Sequence, residues 1–107
     1  MNGPVVNLDK LSQLLGGNTT RAKQFLDLFL EQTPGRLLEM EQLGTSGQWE
    51  SFSIEIHELK TQLAYLGIEE GAAWAQRIED DCDQRPPEES FLKDWQAFKE
   101  YLARLWA

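Results

Sequence analysis

The sequence predicts an all-α domain: an up-down-up-down four-helix bundle with a short extra N-terminal helix. Three observations carry this expectation. Long stretches place apolar residues three and four apart, the spacing that lines one face of a helix. No stretch alternates apolar and polar residues for long enough to make a strand, and Val5-Val6 is too short to count. Glycine or proline falls between the stretches, where chain breaks belong. With 107 residues the chain is expected to form a single domain over 1–107, large enough to bury a core without staples.

Asn7 suits the N-cap of a short helix, Leu8 to Leu15, which Gly16-Gly17 ends. Asn18 or Thr19 caps the next helix, which carries Ala22, Phe25, Leu26 and Phe29 on one face. Thr33-Pro34-Gly35 interrupts it, because proline lacks an N–H and crowds the preceding turn. Leu37, Leu38 and Leu43 resume the period, so one long kinked helix or two in tandem are expected, with Gly44-Thr45-Ser46-Gly47 as a loop. The most regular helix runs from about Gln48 to Leu66, with Trp49, Phe52, Ile56, Leu59, Leu63 and Leu66 as its stripe. Gly67 suits the left-handed residue that closes a helix, and Ile68 can then pack back on Leu63. A further helix, about Glu69 to Asp83, has Ala72, Ala75, Ile78 and Cys82 at core spacing, and Pro86-Pro87 breaks it. The last helix starts near Glu88 and uses Phe91, Leu92, Trp95, Phe98, Leu102 and Leu105. Acids at its start and Arg104 near its end complement the helix dipole.

Charge and composition exclude several functions. Eighteen acids against 10 bases give a net charge of −8, which repels nucleic-acid phosphates and anionic lipid. The single cysteine, Cys82, can form no internal disulfide and reads as a small apolar residue on a helix face. Residues 1–7 lack the pattern of a signal peptide, and no apolar run approaches the ~20 residues that span a bilayer. The cytoplasm is therefore the expected location.

The one histidine, His57, lies in the middle of the most regular helix. At about 100° per residue it falls well outside the apolar stripe and points outward. A solvated surface side chain is the plain alternative to a function. No metal site is expected: one histidine and one cysteine are too few for zinc, and Ile54 stands where a di-iron Glu-x-x-His motif needs its glutamate. Nothing in the spacing suggests a nucleophilic triad. On the outward face Lys60 and Thr61 lie one turn on, Ile54 one turn back and Ala64 two turns on. The lysine disfavours an imidazolium by like-charge repulsion and could pair with a phosphoryl group. Ile54 and Ala64 offer uncharged ground on which another protein could dock. This set fits an imidazole that is handed a phosphoryl group by a partner.

Residues 56–67 resemble the active helix of the histidine-containing phosphotransfer (HPt) domain family. That helix reads His-x-Leu-Lys-Gly, with an aliphatic-Gly pair ending ten residues after the histidine. His57, Leu59, Lys60 and Leu66-Gly67 match it. Elsewhere, Leu8 to Gly17 resembles the family's short leading helix, and Phe25 to Leu38 its second. Trp49 resembles the aromatic that opens the active helix, and Ile78-Glu79 the Leu-Glu pair on the one after it. The likeness spans about Leu8 to Cys82, with a less patterned closing helix beyond. Thr61 stands in place of the glycine, Gln62 and Leu63 replace small residues, and Ile56 replaces alanine. A branched side chain at 61 would narrow the choice of partner or slow transfer.

The resemblance implies that His57 is phosphorylated on Nε2 by a receiver domain's phospho-aspartate, or gives its phosphoryl group back to one. Lys60 would assist phosphate contact or docking. Glu79 would reach the ring from the neighbouring helix and accept from Nδ1–H, leaving Nε2 as the nucleophile. Ile54, Thr61 and Ala64 would form the docking ground. The implied partners are response-regulator receiver domains and a hybrid sensor histidine kinase. Magnesium would sit on the receiver, with no cofactor in this chain, no independent turnover and a monomeric state. Two alternatives stand beside this reading. One is a bundle that binds a receiver or kinase without being phosphorylated; the other is a response-regulator phosphatase using Glu58 or Gln62.

Overall fold

Glycine decides where three of the helices stop. The computed structural model describes residues 3–83 and 90–106. Among these the chain forms α1 (Asp9–Leu14), α2 (Thr19–Thr45), α3 (Trp49–Tyr65), α4 (Glu69–Cys82) and α5 (Ser90–Ala103), with a 3₁₀ turn at Arg104–Trp106 and no strand. Helices α1, α2 and α3 each run into a glycine of positive φ: Gly16, Gly47 and Gly67. After α3, Gly67 N–H donates to the Ala64 carbonyl at 3.1 Å and Ile68 N–H to that of Leu63 at 3.0 Å, the paired closure that satisfies the last carbonyls of a helix. The other two ends repeat the pattern. Gly67 has a second reason to lack a side chain, since a Cβ there would lie 2.3 Å from the Asn7 carbonyl oxygen. Asn7 N–H donates to the Leu66 carbonyl at 2.9 Å, which pins the N-terminal segment to the α3–α4 turn.

Contacts between side chains far apart in sequence give the bundle its register. Phe25 meets Tyr65 edge-on at 6.2 Å, and Arg36 meets Glu58 at 3.5 Å, so α2 and α3 run antiparallel. His57 meets Glu79, and Lys60 meets Gln76, which sets α4 antiparallel to α3. Trp74 packs on Phe98 and Tyr101 at 5.8 and 5.4 Å, which sets α5 against α4. Lys99 pairs with Glu41, and Trp106 reaches Leu30, so α5 also lies on α2 and closes the up-down-up-down ring. The core runs through its centre. Phe52, Ile56, Leu59, Leu63 and Leu66 of the α3 stripe are buried, and so are Ala75, Ile78 and Cys82 of α4. At Gly71 an added Cβ would come 3.0 Å from Ile68 and 3.2 Å from Tyr101, so the missing side chain lets α4 sit close to its neighbours.

Pro34 does not split α2. The helix runs 27 residues without a break, and Gly44 and Thr45 belong to it rather than to a loop. A proline at 34 has no N–H for the carbonyl four residues back, at Leu30. The Trp106 indole N–H donates to that oxygen at 2.8 Å, so a residue from the far end of the chain replaces the missing donor. The N-terminal cap of α2 is Asn18, whose side-chain oxygen accepts from Arg21 N–H at 3.0 Å. Asn7 serves α1 through Asp9 N–H at 3.0 Å, although Leu8 occupies the cap position itself.

Some expected core positions lie outside. Leu92 is 64% exposed and Leu38 also faces solvent, because at about 100° per residue each lies more than 90° from the centre of the face that its helix buries. Tyr101, which the apolar period had passed over, is buried. Arg104 lies in the 3₁₀ turn beyond α5 rather than in its last turn. The proposed break at Pro86-Pro87 and the start near Glu88 lie outside the described residues.

Candidate functional site

Ile56 and Leu59 fix the rotation of α3 by burying themselves on either side of His57. The imidazole is thereby turned outward, and its side chain is 57% exposed. It does not stand alone. Across the α3–α4 seam, Nδ1 lies 3.0 Å from Glu79 Oε2. The other oxygen of that carboxylate, Oε1, accepts from Lys60 Nζ at 2.8 Å. Glu79 therefore bridges the ring and the ammonium, and the carboxylate lies between the two groups that the sequence had placed side by side. Lys60 also donates to Gln76 Oε1 at 2.8 Å, and Gln76 Nε2 donates to Asp80 Oδ1 at 2.8 Å. The ammonium has three N–H groups, so two fixed bonds leave one for a visiting anion.

The electrostatics follow from this packing. Partial burial alone would raise the Glu79 carboxyl. The hydrogen bonds from Lys60 and His57, with the charges behind them, outweigh it and hold Glu79 below the ordinary carboxylate value. An ionised carboxylate can only accept, so the proton between the two groups belongs to Nδ1. In the neutral ring that leaves the lone pair on Nε2.

The remaining predicted residues sort around this centre. Ile54 is 57% exposed and Ala64 is exposed, both on the outer face of α3. Thr61 is half-buried, and its hydroxyl donates to the His57 carbonyl at 3.1 Å. Lys60, Thr61, Ala64 and Gln76 share a groove between α3 and α4 that reaches Lys10 of α1. Glu58 and Gln62 are turned to the other flank of α3. There Arg36 of α2 meets Glu58 at 3.5 Å and donates to Gln62 Oε1 at 3.2 Å, and its Nε lies 3.5 Å from Glu55. Sequence reasoning missed Gln76, Asp80 and Arg36. The signal for the first two was present: 76, 79 and 80 sit three and four apart and so share one face of a helix.

The Hpt domain model matches residues 24–107. The chain belongs to the Hpt domain family. No curated protein and no solved structure matches it. Hpt domains act in histidine phosphotransfer in two-component signalling, as phosphoryl carriers rather than as enzymes. The match covers α3, α4 and α5 and most of α2, and it begins after α1. Among the described residues no helix of this Hpt domain is long and apolar enough to cross a membrane.

Proposed function

We propose that His57 takes a phosphoryl group on Nε2 from the phospho-aspartate of a receiver domain, or returns it to one, in a multistep phosphorelay. The observation that supports this reading most is the exposed ring held by Nδ1 on Glu79. In the forward step the Nε2 lone pair attacks phosphorus. The bond to the receiver's aspartyl oxygen breaks, and its electron pair stays on that carboxylate. The ring keeps Nδ1–H and becomes a phosphorylated imidazolium, whose positive charge faces Glu79 in a charge-assisted hydrogen bond. In the reverse step an aspartate oxygen attacks phosphorus and the P–N electron pair returns to Nε2. No proton moves in either direction. The remaining N–H of Lys60 is free to meet a phosphoryl oxygen, and Ile54, Thr61 and Ala64 are the ground on which the receiver docks. Magnesium and the activation of the acyl phosphate belong to the receiver, with positioning as this chain's share. The domain holds no cofactor and turns nothing over alone. It works in the cytoplasm as a monomer between a hybrid sensor histidine kinase and a response regulator.

The test is incubation with a phosphorylated receiver. Acid-labile label should appear on this protein and be absent from His57→Gln. Loss of receiver phosphate without label, even transiently, would instead identify a phosphatase. Complex formation alone would identify an unphosphorylated binding module. Nothing in the site favours the phosphatase, since Glu58 and Gln62 are both engaged with Arg36.

A further inference from the structure

Gln76 has no part in the transfer chemistry above, yet both ends of its amide are committed. It is exposed on α4, one turn before Glu79. Its oxygen accepts from Lys60 and its nitrogen donates to Asp80, each at 2.8 Å. A lone amide on a helix surface has no preferred face. Here a cation on one side and an anion on the other select a single orientation. The consequence falls on Lys60, whose four-carbon stem is flexible and whose rotamer freedom is large. With one acceptor its ammonium would swing, and it would draw the Glu79 oxygen it bonds along with it. With two acceptors three residues apart on one rigid helix, it is fixed. Glu79 Oε1 is then fixed, and Oε2 stays aimed at the ring.

We propose that Gln76 is a positioning residue for phosphotransfer: oriented by Asp80, it holds Lys60 against Glu79 and so keeps the His57 ring in its Nδ1–H tautomer. The inference rests on the reading of His57 as the phosphoryl carrier. Gln76 touches neither the ring nor the phosphoryl group, so its effect must pass through Lys60 and Glu79. That makes it separable from docking.

Two variants test it. Gln76→Met keeps the length and helix propensity and removes both polar ends. Asp80→Ala leaves Gln76 in place but frees its amide to turn. Ring ¹⁵N shifts of the unphosphorylated protein report the tautomer, and transfer from a phosphorylated receiver reports the rate. In Gln76→Met the Nε2–H tautomer should rise. The maximal transfer rate should fall roughly three- to tenfold, a little below the usual cost of losing an orienting partner behind a reacting group. The half-saturating receiver concentration should stay unchanged. Asp80→Ala should act in the same direction, less strongly, and add nothing in the Gln76→Met background. Helical content and melting temperature should match the parent, because both side chains are exposed. Parent tautomer and parent rate in Gln76→Met would overturn the proposal. A rise in half-saturating concentration at unchanged maximal rate would also overturn it, by making Gln76 a docking contact. If the parent itself takes no label, the carrier reading fails. The ¹⁵N shifts still decide separately whether Gln76 governs the tautomer.

Discussion

At the scale of the residue, Glu79 is the group on which the site turns, and its charge matters more than its reach. In the proposed transfer, a carboxylate opposite Nδ1–H would stabilise a phosphorylated, cationic ring more than an uncharged one. Glu79→Gln keeps a carbonyl oxygen within reach of Nδ1 but removes that preference. The position of equilibrium should then move toward the receiver. With Glu79→Gln and phosphorylated receiver mixed and left to equilibrate, the ratio of label on His57 to label on the receiver should be about a factor of ten below that of the parent, since a hydrogen bond gains roughly 1–1.5 kcal/mol from an ionised partner. An unchanged ratio would mean that Glu79 orients the ring without stabilising the phosphorylated state. Much of this centre was legible in the chain. His57 fell off the stripe of α3, and the spacing to Glu79 matched the resemblance. What was not legible was the direction of Lys60. A sequence places it one turn from His57 but does not say that a carboxylate from another helix sits between them.

At the scale of the element, the instructive case is α2. The proline rule predicted an interruption at 34, and the rule is correct about the local cost: the Leu30 carbonyl loses its donor. Of the two outcomes it left open, one long kinked helix or two in tandem, a single helix forms, because a tertiary contact compensates and no local window contains Trp106. The indole N–H that reaches Leu30 comes from 76 residues away in sequence. The caps and closures, by contrast, are local in origin, and Asn18, Gly16 and Gly67 fall where the sequence placed them. The compensation can be measured. Trp106→Phe should destabilise the parent by about 0.5–1.5 kcal/mol beyond the lost ring packing, the worth of one hydrogen bond. In a Pro34→Ala background residue 34 has its own N–H for Leu30, so the same change should cost clearly less. Urea unfolding of the four proteins gives the coupling. Equal costs of Trp106→Phe in both backgrounds would show that the indole contributes by packing alone.

At the scale of the molecule, three charged seams tie the described helices together, and in two of them a carboxyl is held below its ordinary value. Lys60 and His57 meet Glu79 between α3 and α4, and Lys99 meets Glu41 between α5 and α2. Partial burial would raise the Glu79 carboxyl, and its two donors lower it instead. At Glu41 the hydrogen bond from Lys99 is the largest cause and outweighs desolvation, so this carboxyl too lies below the ordinary 4.5. Both groups therefore bind fewer protons in the folded state than in the unfolded chain. Stability rises with pH wherever the unfolded state binds more protons. The contribution of these two seams is complete at neutral pH, begins to fall as the pH drops through 4.5, and is gone once both carboxyls are protonated in the fold as well. A counter-effect must be separated from this one. Acidification also relieves repulsion among the 18 acids of a chain whose net charge is −8, which favours the compact state. Glu79→Gln and Glu41→Gln isolate the seams, because neither changes the rest of that field by more than one charge. Melting temperatures between about pH 6 and pH 3 should fall more steeply in the parent than in either variant, and least steeply in the double variant. The two effects should add, since the seams lie on different pairs of helices and share no partner. Parallel pH profiles for all four proteins would mean that neither pair contributes to folding. Glu79 would then be retained for the ring it faces rather than for the bundle.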